Sequence, residues 1–94
     1  MKLTYNSRPY VGLMFVVVAD DFRGVAVLEI RVWNRVVDRK ECPDPPCHGS
    51  YLVQQIDRGS ILEVEARDSS GAQERLSFIV GDEPERSPAR AYAG

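Results

Sequence analysis

A chain of 94 residues, 44% hydrophobic and 28% charged, has the make-up of one soluble globular domain with room for a single core. Its net charge is −2 and its charges are interspersed, so no basic stripe for nucleic acid is expected, phosphate neutralisation being the main source of such affinity. The longest apolar run, residues 11–19, is far below the about 20 residues of a membrane-spanning helix, so direct membrane insertion is not expected.

Taken in chain order, residues 2–5 suit an edge strand. Residues 12–19 are apolar on both faces, which fits a central strand with one face in the core and the other partly covered. The pattern leaves open whether Met14, Val16 and Val18 point inward or Leu13, Phe15 and Val17 do. A polar break follows at Asp20, Asp21, Phe22, Arg23 and Gly24. Residues 26–33 alternate, placing Leu28, Ile30 and Val32 on a core face. Asn34 and Arg35 then reverse the chain into a short strand at Val36 and Val37.

Residues 51–56 make a weaker strand, closed by a turn at Asp57, Arg58 and Gly59. The clearest signal comes last: residues 62–67 alternate strictly and residues 75–80 repeat the pattern, with Leu76, Phe78 and Val80 facing in. Between them Asp68, Ser69, Ser70 and Gly71 form a turn, so the two segments make a hairpin. No apolar set recurs at three-to-four spacing, and no helix is expected. Six to seven short strands with turn signals between them imply an all-β antiparallel sandwich over residues 1–81. Residues 82–94 carry Pro84, Pro88 and several charges, and read as a flexible tail or linker that cannot bury enough surface to offset its ordering entropy.

The passage Ala19, Asp20, Asp21, Phe22, Arg23, Gly24, Val25, followed by an alternating strand and Asn34 at a turn, resembles the strand B, loop and strand C of bacterial and archaeal immunoglobulin-like modules. Residues 59–71 are similar to the F strand and F–G turn of that family. The likeness covers residues 12–80 and implies an immunoglobulin-like sandwich. It also implies a spacer, accessory or adhesive role in an exported or envelope protein, beside neighbouring domains or a protein partner. Antibody-type domains place a tryptophan between two distant cysteines. Here Trp33 precedes both cysteines, so that subfamily is disfavoured.

Cys42 and Cys47 are separated by four residues, three of them proline, and are expected to form a local disulfide worth roughly 2 kcal/mol. An alternative is a zinc site on Cys42, Cys47 and His48, although zinc wants a fourth ligand and a shorter cysteine spacing. A second metal alternative is calcium at Asp20, Asp21 and Asp68, in two turns expected at the same end of the sandwich. No resident cofactor is expected. His48 is the sole histidine and neighbours Cys47, so a nucleophile–base pair is hard to assemble and no enzyme is expected. Trp33, Arg31, Val27 and Tyr51 form a candidate interaction surface. A carbohydrate-binding accessory module is the remaining alternative, with Trp33, Tyr51 and Tyr10 as stacking residues. The absence of an apolar leader in residues 1–10 fits an intracellular protein or a domain of a longer exported chain.

Overall fold

In the computed structural model, which describes residues 1–82, seven strands form two antiparallel sheets packed as a sandwich; the tail expected from residue 82 onward lies, past its first residue, outside the described residues. The strands are β1 (Lys2–Tyr5), β2 (Met14–Asp20), β3 (Ala26–Val32), β4 (Arg35–Cys42), β5 (Cys47–Leu52), β6 (Ile61–Asp68) and β7 (Gln73–Ile79). One sheet has the order β1-β2-β5 and the other β4-β3-β6-β7. The chain therefore changes sheet after β2, after β4 and after β5. Among the described residues the only helical segment is a three-residue 3-10 turn, Gln55–Asp57.

Period-two patterning builds the core directly. Ala26, Leu28, Ile30 and Val32 of β3 are buried, as are Leu62, Val64 and Ala66 of β6. Phe78 and Val80 follow the parity expected for the last strand. In β2 the inward set is Phe15, Val17 and Ala19, while Met14 faces solvent. The reason lies in partners: the Phe15 ring meets the Phe78 ring edge-on at 5.7 Å and lies 6.5 Å from that of Tyr5. Burying such a side chain is worth roughly 1.5–3 kcal/mol, and the opposite parity would leave Phe15 in water.

Two strands differ from the sequence expectation. β4 runs eight residues, well beyond Val36 and Val37, because backbone pairing to β3 carries it through the charged stretch Asp38, Arg39, Lys40 and Glu41. It is an edge strand with little buried surface, so it shows no apolar alternation, and a register shift opposite Ile30 and Arg31 breaks the period. β5 begins at Cys47 and ends at Leu52 rather than running to residue 56. Its inward positions include Gly49, which carries no hydrophobic signal. A Cβ there would lie 3.1 Å from Leu28 Cδ2 and 3.3 Å from Ile30 Cδ1, so the missing side chain is what lets β5 sit close over β3.

The expected disulfide is present. Cys42 at the end of β4 joins Cys47 at the start of β5, with their Cα atoms 5.7 Å apart. It staples the crossover between the sheets along one side of the sandwich. Asp38 reinforces that side by accepting the Ser50 N–H at 2.8 Å from the opposite sheet.

Candidate interaction surface

The β3–β4 connection is a two-residue loop, since Val32 pairs with Arg35. Both loop residues have positive φ, 54° at Trp33 and 61° at Asn34, the pattern of a type I′ hairpin turn. Asparagine tolerates this region; a bulky aromatic does not, and holding it there costs of order 1–3 kcal/mol. Such a conformation persists only where the surroundings enforce it. Here the Trp33 indole N–H donates to the carbonyl of Ile56 at 3.2 Å. The ring is pinned, yet Trp33 remains 53% exposed.

The other end of that bond is equally well held. Ile56 lies in the 3-10 turn, whose geometry depends on Asp57, only 1% exposed. Asp57 Oδ2 accepts the Gln54 N–H at 2.8 Å and the Tyr51 hydroxyl at 2.6 Å. Burial and that acceptor push the Tyr51 hydroxyl up to about 12, so it stays a proton donor at any ordinary pH. Tyr51 therefore takes part through the turn it anchors: Tyr51 fixes Asp57, Asp57 fixes the turn, and the turn presents the carbonyl that holds Trp33.

Around the pinned ring is a groove of about 380 Å³ lined by Trp33, Asn34, Gly59, Ser60, Ile61 and Glu63. Ser60 is buried, and its Oγ has no hydrogen-bond partner among the described residues. Ile56 is 78% exposed beside the groove, and Ile61 and Ile79 are exposed neighbours in the β6–β7 register. Large apolar side chains exposed at one end of a sandwich make this a candidate contact surface.

Above this end the outer face of the four-stranded sheet is a charge ladder. Arg31 Nη1 lies 2.7 Å from Glu29, Nη2 lies 3.2 Å from Glu65 and Nε lies 3.8 Å from Glu63. Burial pushes the Glu65 carboxyl up, but Arg31, Arg75 and Gln73 together outweigh it and hold the group below its ordinary range. Arg31 is thus committed within the sheet. Val27 shares the outer face but sits at the opposite end of β3, six residues or roughly 20 Å from Trp33. Of the four sequence candidates, then, Trp33 stands in the groove, Arg31 borders it through Glu63, Tyr51 supports it from behind and Val27 lies away from it. Tyr10 is half-buried and bridges to Gly81.

The metal alternatives fare differently from what their spacing suggested. With Cys42 and Cys47 bonded to each other, neither offers a thiolate, and His48 stands exposed on β5. The turns holding Asp20, Asp21 and Asp68 do meet, because Asp68 Oδ2 accepts the Arg23 N–H at 3.0 Å. Asp68 Oδ1 is taken by the Ser70 N–H, the Ser70 hydroxyl and the Ala72 N–H, while Asp20 Oδ1 accepts the Asp21 N–H. Those oxygens are spent within the turns, on backbone N–H groups and the Ser70 hydroxyl. Among the described residues no group of three or more His, Cys, Asp or Glu side chains is arranged to hold a metal ion.

Ile56, Ile61 and Ile79 were not among the sequence candidates. Two of them carried a usable signal: once Leu62 and Phe78 are assigned inward, Ile61 and Ile79 fall on the outward parity, where isoleucine is out of place. Compared with protein-family models, with curated proteins and with solved structures, the chain finds no significant match in any of the three.

Proposed function

We propose that this chain is a non-catalytic, immunoglobulin-like module, a spacer or protein-interaction domain of a larger exported or envelope protein. It meets a protein partner or a neighbouring domain at the Trp33 end. The observation that carries this reading is Trp33 itself, a bulky residue kept at φ 54°, pinned through its indole N–H and still half exposed. Strain concentrated on an exposed aromatic, with three exposed isoleucines beside it, is hard to account for by stability alone. The immunoglobulin-like assignment is supported by strand order. Three strands oppose four, with crossovers after β2, β4 and β5, and the B–loop–C and F–G passages of the resemblance fall on β2–β3 and β6–β7. An exported setting is supported by the Cys42–Cys47 disulfide, since such bonds persist in oxidising compartments.

A photo-activatable phenylalanine analogue placed at Ile56, Ile79 or His48, with the protein expressed in its source cells, tests the reading. Adducts to a defined protein should form from positions 56 and 79 and not from position 48, on the outer face of the other sheet. Adducts from position 48 alone, or none from any position, would refute it.

A further inference from the structure

We infer that the Trp33 groove receives an arginine side chain of the protein that docks there. The inference rests on the docking reading and names the chemistry of the anchor. The indole N–H is spent on the Ile56 carbonyl, so what Trp33 offers a ligand is its π face. That face attracts a cation, and a guanidinium stacks on it better than an ammonium does. Among the described residues the groove is lined by one charged group, the Glu63 carboxylate, and by no cation.

Glu63 is under-used within the domain. Its side chain is 45% exposed, and among the described residues its only ionic contact is the 3.8 Å approach of Arg31 Nε. Arg31 spends its closer contacts, 2.7 and 3.2 Å, on Glu29 and Glu65. Nearby Arg58 is paired with Asp82 at 2.9 Å and so does not compete for the groove. A carboxylate with spare acceptor capacity, an aromatic face and the aliphatic wall of Ile61 match the three parts of an arginine: fork, plane and stem. A leucine anchor would shield part of the exposed Glu63 carboxylate from water and offer it no donor in return.

Capped Gly-Arg-Gly, Gly-citrulline-Gly and Gly-Leu-Gly peptides, followed through the amide and indole NMR signals of the full chain, test this. The arginine peptide should give saturable shifts at the Trp33 indole, Asn34 and Gly59. The citrulline peptide, equal in shape and lacking the charge, should bind more weakly by about threefold or more. Glu63→Gln should remove that preference while leaving the melting temperature near wild type, and added salt should weaken the arginine peptide alone. Equal binding of the arginine and citrulline peptides overturns the inference. So does preference for the leucine peptide, in which case the surface still docks protein and only the assignment of arginine falls. Shifts produced by an oligosaccharide and by none of the peptides would overturn both the anchor and the docking reading.

Discussion

The two ends of β3 carry turns of opposite character. At the Ala26 end, the Asp68 turn and the segment from Asp20 to Val25 are sewn together. Asp68 binds Arg23, Ser70 and Ala72, and the Ser69 hydroxyl accepts the Val25 N–H at 3.1 Å and lies 3.3 Å from the Val25 carbonyl. The Asp68 carboxylate and the Ser69 hydroxyl there are spent on the fold. At the Val32 end, Trp33 and Asn34 make a turn that one indole hydrogen bond holds, and the aromatic surface is left to water. The first turn uses residue types that favour turns; the second keeps a residue type that a turn disfavours. The first turn holds what the fold requires; the second holds what the fold tolerates, and the proposed docking surface lies there.

The largest effect is expected at the stitched end. Gly24 has φ 73°, and a Cβ there would lie 2.8 Å from both Cβ and Oγ of Ser69. Gly24→Ala incurs the left-handed penalty of about 1–2 kcal/mol and forces the two loops apart, for a total of roughly 2–3 kcal/mol. For a domain of this size that lowers Tm by roughly 10 °C or more. A loss under about 0.5 kcal/mol would mean that the stitching between the loops contributes little.

A smaller, pH-dependent effect is expected at Asp68. The Arg23 backbone N–H, followed by the Ser70 hydroxyl and other donors, lowers its carboxyl from 3.8 to about 2. A folded-state value below the unfolded one means that this stabilisation is fully present above pH 3.8 and is lost as pH falls towards about 2. Asp68→Asn lacks the titrating group. Melting curves of both proteins should therefore lie furthest apart above pH 4 and converge between about 4 and 2. A gap that stays constant through that window would show that the Asp68 charge does not contribute.

The contrast between the ends also explains what the sequence made legible. β3, β6 and β7 could be read because each buries one clean face, and the Asp68 turn because aspartate, serine and glycine announce turns through their own backbone bonding. β4 and β5 differ in extent from their apolar patterns because backbone pairing, a staple and Gly49 hold them, none of which writes an apolar period. At the other end, Trp33 could be noticed as an exposed aromatic, but its setting could not be foreseen. The carbonyl that pins it comes from a 3-10 turn 23 residues later, which Asp57 organises with help from Tyr51. Hydrogen bonds across that separation leave no local pattern, so the bond from the Tyr51 hydroxyl to Asp57 is not legible in the sequence.

The smallest stability effect, and the sharpest test of the comparison, is expected from Trp33→Gly. Glycine adopts φ 54° without penalty and a Gly-Asn pair suits a type I′ turn, so the substitution relieves about 1–2 kcal/mol of backbone strain. Against this stand the loss of the indole bond to Ile56, about 1 kcal/mol, and the added freedom of the unfolded chain, roughly 0.5–1 kcal/mol. The remaining loss is burial of a ring that is already half in water. These nearly cancel, so denaturant unfolding should place the variant within about 1 kcal/mol of wild type, while cross-linking from Ile56 and binding of the arginine peptide fall away. Loss of binding at unchanged stability is what separates a surface from a cap. If instead the variant loses about 3 kcal/mol or more, Trp33 belongs with Asp68 as a structural element, and the two ends of β3 are alike after all.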